Sequence, residues 1–101
     1  MVQSSLVAVG VLSLYFLLPG CTSLKEKRSK IKPVLSRLQR EFNLSVSEMT
    51  HQDAWQETVI GCALISNDQG YIQKVFQQVV RFTEATWPDY NLLDQKQEII
   101  I

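Results

Sequence analysis

The sequence predicts an α+β domain with a ferredoxin-like βαββαβ order, a four-stranded antiparallel sheet carrying two helices on one face. Three observations carry that expectation. Segments of period two alternate with two longer segments of three-four spacing, in the order strand, helix, strand, strand, helix, strand. The first and third strand segments are apolar on both faces, as central strands are, while the second and fourth are mixed, as edges are. The chain has 101 residues, 46% hydrophobic and 20% charged, which suits one small core, leaves no room for a second domain and excludes disorder. Residues 1–101 therefore read as one domain, with 1–5 as a frayed extension.

The first strand spans Leu6 to Leu18, with Val7, Val9 and Val11 on one face and Ala8, Leu12, Leu14 and Phe16 on the other. Pro19-Gly20 closes it. Leu18-Pro19-Gly20-Cys21 superficially resembles a lipoprotein cleavage box. Against export, residues 1–5 hold no Lys or Arg and Pro19 is ill placed for cleavage. An apolar run of about 13 residues is also too short for a bilayer that needs roughly 20. The expectation is a buried strand of a cytoplasmic protein with no membrane association.

Ser23 to Phe42 reads as the first helix, opened by a capping box in which Ser23 accepts from the Glu26 N–H and Glu26 reaches back to the N–H of Ser23. Leu24, Ile31, Leu35, Leu38 and Phe42 make its apolar stripe. Pro33 removes one intrahelical hydrogen bond, so a kink between Ser29 and Pro33, or two helical pieces meeting there, is expected. Leu44 to Thr50 is the second strand, an edge, with Leu44, Val46 and Glu48 alternating against Ser45, Ser47 and Met49. His51-Gln52-Asp53 makes the turn, and Trp55 to Ser66 returns as a central strand. Ser66-Asn67-Asp68 caps a second helix whose Ile72, Val75, Phe76, Val79 and Phe82 or Thr83 face inward. Trp87-Pro88-Asp89 ends it, and Tyr90 to Ile101 is the last strand. With both helices on one face, the other stays open. Tyr15, Leu17 or Trp55 there would be scattered surface residues or a patch that recruits a second copy.

Pro19-Gly20, Ser23-Leu24-Lys25-Glu26-Lys27-Arg28, Phe42-Asn43 with Val46 and Glu48, His51-Gln52-Asp53 with Trp55-Gln56, Gly61 and Ser66-Asn67-Asp68 together resemble the YlxP-like family (bacterial domain of unknown function 503). Leu92-Leu93-Asp94 and Glu98-Ile99 fit it too, so the resemblance runs from about Leu6 to the end of the chain. It implies a small cytoplasmic ferredoxin-like domain, discussed beside ribosome-binding factors and encoded in translation-related neighbourhoods, with no established activity. Pro33, Ala54 and Cys21 depart from the family pattern, outside its two signature runs.

Charge is the main physical lead toward function. Residues 25–40 hold Lys25, Lys27, Arg28, Lys30, Lys32, Arg37 and Arg40 against Glu26 alone, whereas the remainder has three basic and nine acidic residues. A neutral chain thus carries a strongly basic helix, the footprint of a domain that shows one face to phosphates. Lys25, Lys32 and Arg40 lie to one side of the apolar stripe, and Lys30 and Arg37 to the other. Lys27 and Arg28 flank Leu24, with packed stems and charges expected in water. Cations at a helix start oppose the helix dipole, a repulsion that a bound phosphate would relieve. The plainer alternative is a solvated helix face. Base stacking on the sheet finds a weak echo in Leu14-Tyr15-Phe16 and none in Val59 to Ile65.

One histidine and two cysteines fall short of a closed zinc site. Cys21 and Cys62 read as reduced apolar side chains or, in an oxidising compartment, as a pair. His51 beside Asp53 has acid-base capacity, yet the sequence supplies no nucleophile, metal or oxyanion holder around them. A hairpin turn explains the same residues, with Asp53 bonding backbone amides and Trp55 packing. A partner contact through His51, Gln52, Asp53 and Trp55 stays open. No metal, cofactor or catalytic residue is expected. Three classes remain: a non-enzymatic RNA or ribosome accessory protein acting through Lys25 to Arg40, a homodimeric interaction module, and an enzyme using His51 and Asp53.

Overall fold

The computed structural model describes residues 7–49 and 54–101. Their elements are β1 (Ala8–Leu17), α1 (Leu24–Phe42), β2 (Ser45–Glu48), β3 (Glu57–Ser66), α2 (Gln69–Thr86) and β4 (Asn91–Ile99). The strands form one antiparallel sheet in the order β2-β3-β1-β4. This is the ferredoxin-like arrangement, with the two most apolar strands at its centre. The frayed extension and the turn at 51–53 lie outside the described residues.

Alternation along β1 sets the layers. Ala8, Leu12, Leu14 and Phe16 are buried toward the helices, and β3 continues the layer because Leu12 lies opposite Cys62 and Leu14 opposite Ile60. Gly10 shares that face. A Cβ there would stand 2.5 Å from Ile72 Cγ2 and 2.9 Å from Phe76 Cε2, so its missing side chain lets α2 lie close on β1. Leu38 from α1, together with Ile72, Phe76 and Val79 from α2, completes the core.

At the start of α1, Ser23 Oγ accepts from the Glu26 N–H at 3.1 Å, as the capping box predicts. Glu26 differs from expectation. Its Oε2 receives the Thr22 N–H at 3.2 Å and the Thr22 Oγ1 at 3.0 Å, because Thr22 offers two donors where Ser23 offers one. The helix runs through Pro33 as one element rather than two. Ser29, whose carbonyl loses its amide donor, and Pro33 are both exposed, so the proline orphans a carbonyl at the solvent side of the helix rather than one in the core. Val34 joins Ile31 and Leu38 at the centre of the buried stripe, while Leu24, Leu35 and Phe42 are only half-buried. Asn43 ends the helix in the left-handed region (φ 52°), with its N–H on the Gln39 carbonyl at 3.1 Å.

α2 begins at Asp68, whose Oδ1 accepts from the N–H groups of Gly70 at 2.8 Å and Tyr71 at 3.3 Å. Edge-to-face stacking of Phe82 with Phe42 and with Trp87, at 5.3 and 5.9 Å between ring centres, joins the two helix C-termini. One core position is imperfect. Thr83 faces inward at 1% exposure, and its Oγ1 has no hydrogen-bond partner among the described residues. Removing that hydroxyl with Thr83→Val should therefore stabilise the domain by about 1 kcal/mol. A thermal melt followed by circular dichroism should shift upward by roughly 4–8 °C; an unchanged or lower midpoint would show that the hydroxyl is satisfied.

Candidate nucleic-acid interface

The seven cations of α1 separate into three environments. Lys27 points inward. It is 2% exposed, donates from Nζ to the Ala54 carbonyl at 2.8 Å, and lies 3.1 Å from Glu48 Oε2. The same carboxylate oxygen accepts from Thr58 Oγ1 at 2.8 Å. The expectation that the Lys27 charge reaches water is thus corrected. Lys27 stands four, seven and eleven residues before Ile31, Val34 and Leu38, on the core-facing stripe, and β2 turns Glu48 toward the same layer as Leu44 and Val46.

Lys30 and Arg37 occupy the flank toward α2. Arg37 Nε is 3.5 Å from Glu41 Oε1, and its guanidinium lies over the Phe82 ring at 5.3 Å. Lys30 Nζ sits 5.9 Å from the centre of the Tyr90 ring. All three contacts are intramolecular, and the exposed Arg37–Glu41 pair holds its side chains in place more than it stabilises the fold.

Lys25, Arg28, Lys32 and Arg40 form the third group. All four are exposed and none has a carboxylate within ion-pair distance among the described residues; Lys25, Arg28 and Lys32 lie on the opposite flank, whereas Arg40, about 220° round from Lys27, faces outward between the two flanks. Lys25, Arg28 and Lys32 follow one another at spacings of three and four, a single row spanning about 10 Å along the axis. Gln39 fixes where that flank lies, since its Nε2 donates to the Val46 carbonyl at 3.2 Å and so sets the row beside the edge strand β2. Asp94 and Glu98 belong to β4, the far edge, about 14 Å away across three strand spacings. Lys96 stands between them, its Nζ 3.6 Å from Glu98 Oε1, so the far edge carries a small negative balance opposite the basic row.

His51, Gln52 and Asp53 lie outside the described residues, so the second cluster is represented by Trp55 alone. Trp55 is 47% exposed rather than packed, and with Leu17, Ala54, Gln56 and Glu57 it borders a shallow surface depression. β3 begins two residues after it, at Glu57. Cys21 and Cys62 are free and buried, and burial pushes the Cys62 thiol up to about 12. Among the described residues no three His, Cys, Asp or Glu side chains are placed to hold a metal, and no helix is long and apolar enough to cross a membrane.

Comparison with known proteins places the chain in a family. A family profile described as "Protein of unknown function (DUF503)" matches residues 9–97. The Bacillus subtilis (strain 168) protein described as "Uncharacterized protein YlxP" is 43% identical over 63 residues, which cover 62% of this chain and 68% of that protein. Among solved structures, the de novo designed protein Foldit4 superposes with a TM-score of 0.54 at 16% identity, over 93% of this chain and 97% of the design. That last likeness concerns the fold alone.

Two outcomes follow from the buried groups. Lys27→Met should destabilise the domain by about 3 kcal/mol in urea unfolding, because it removes the cation that faces the half-buried Glu48 carboxylate, and the Lys27→Met/Glu48→Leu double variant should recover part of that loss; strict additivity would mean that the two charges do not interact. Native Cys62 should resist alkylation at pH 8. Because its folded pKa lies above the unfolded value of 9.0, its contribution to stability is present below pH 9 and declines as pH rises toward about 12.

Proposed function

The chain belongs to the DUF503 family, and from that premise we infer a non-enzymatic cytoplasmic accessory protein that associates with RNA, on the ribosome or one of its subunits, through the exposed basic flank of α1. The observation that carries this reading is the row Lys25, Arg28 and Lys32, beside β2 without carboxylate partners among the described residues. The translation-related setting implied by the family resemblance favours RNA as the polyanion. Such a row positions a phosphate backbone and needs no catalytic group. It offers no base-reading device, so affinity comes from counterion release and orientation from the edge of β2.

Three or four phosphate contacts imply a slope of about −2 to −3 in the logarithm of affinity against the logarithm of salt concentration. Co-sedimentation with ribosomal subunits should therefore weaken by roughly 15- to 60-fold between 50 and 200 mM salt. Reversing Arg28 and Lys32 together (Arg28→Glu/Lys32→Glu) should abolish it while leaving the thermal melt unchanged. Lys27 is unsuitable for this test, since its loss disturbs the fold itself. Binding by the double variant equal to that of the parent would remove the proposal, as would binding indifferent to salt.

A further inference from the structure

β1 and β3 are apolar on both faces, yet α1 and α2 cover only one of them. On the other, Ile65, Met49 and Leu93 stand 69%, 66% and 59% exposed. Their arrangement is ordered. Across the middle of the face run two rows that are small on three strands and end in a charge on β4: Ser47, Gly61, Ser13 and Lys96, then Ser45, Ala63, Val11 and Glu98. Larger side chains stand toward the ends, Tyr15 and Val59 with Met49 and Leu93 at one, Val9 and Ile65 at the other. Met49 leans in over Gly61, where a Cβ would meet its Cγ at 2.9 Å.

We propose that this face is the interface of a two-fold homodimer, two sheets stacked with the helices outside. Three observations select a second copy of this chain as the occupant. Sheets stacked face to face interdigitate the side chains of their inner faces about 10 Å apart, so a face that offers small and large apolar residues together fits a second sheet of the same pattern. The area suffices: strands of ten residues are about 33 Å long, and four strands are about 15–19 Å across. Each copy thus offers about 500 Å², and together they reach the roughly 1,000 Å² at which specific interfaces begin.

The charges are also self-complementary. β4 places Asp94, Lys96 and Glu98 at alternate positions, opposite Tyr15, Ser13 and Val11. Within one chain Lys96 Nζ lies 3.6 Å from Glu98 Oε1, both side chains still exposed; an axis at right angles to the strands, passing between the Ser13 and Val11 rows, sets two such pairs head to tail, so that Lys96 of each copy also faces Glu98 of the other. A two-fold interface requires that reciprocity.

Sedimentation equilibrium of the parent from micromolar to millimolar concentration should show a mass rising to that of two chains. Ile65→Lys should weaken association at least tenfold with an unchanged circular dichroism spectrum, and Leu93→Lys serves as the second variant should the first fail to fold. Lys96→Glu and Glu98→Lys should each dimerise poorly alone, by like-charge contact, and associate again when mixed in equal amounts. A parent that stays monomeric throughout would overturn the proposal. So would an Ile65→Lys dimer as tight as the parent, which would place the contact elsewhere, such as strand-to-strand pairing along the β4 edge.

Discussion

The buried Lys27 ammonium governs the geometry on which everything else rests. It joins the first turn of α1 to Glu48 at the end of β2 and to the Ala54 carbonyl ahead of β3, while Thr58 holds the same carboxylate from the other side. A buried ion pair is weak evidence of stability, because desolvation offsets most of its attraction. Its value here is rotational. Each helical residue turns about 100°, so with Lys27 directed inward, Arg28, Lys32 and Lys25 are carried about 100–160° round to the β2 side, and Lys30 and Arg37 to the α2 side. A helix rolled by one position would bury a different cation and break up the row beside β2.

That dependence explains what could be read from the residues alone. The order of elements and the central strands followed from the two periodicities, since β1 and β3 lie among neighbours on every side and their composition must show it. The collection of cations in residues 25–40 was equally plain. Sorting them was not, because the sort depends on helix rotation, and rotation is set by a contact between residues twenty-one positions apart, Lys27 and Glu48. A signal did exist. Lys27 shares the stripe of Ile31, Val34 and Leu38, and Glu48 shares the inward alternation of Leu44 and Val46, so opposite charges stood at inward positions on adjoining elements. Pro33 misled for a related reason: a proline disrupts a helix according to which carbonyl it orphans, and this one faces solvent.

Neutrality overall and segregation within are compatible demands. A chain with a large net charge would repel its own copy, whereas zero net charge permits close approach and leaves steering to local fields. The basic flank lies on a helix, on the covered side of the sheet, and the exposed apolar residues lie on the open side. A polyanion at α1 and a second chain at the sheet therefore do not compete.

Under the proposed axis the two surfaces become coupled. A two-fold at right angles to the strands sets β2 over β2 and β4 over β4, so both basic flanks come to one edge of the particle and the Asp94 and Glu98 carboxylates gather at the other. Two sheets about 10 Å apart, each backed by helices about 10 Å thick, place the two flanks roughly 30 Å from each other. A backbone held at one flank then meets the second as an intramolecular event, and modest rows of three or four cations combine into a site stronger than either alone. An axis parallel to the strands would instead send the two flanks to opposite edges and set the acidic edge of each copy beside the basic edge of the other. The alternation of Asp94, Lys96 and Glu98 along β4 favours the first arrangement, because only there does that edge meet itself.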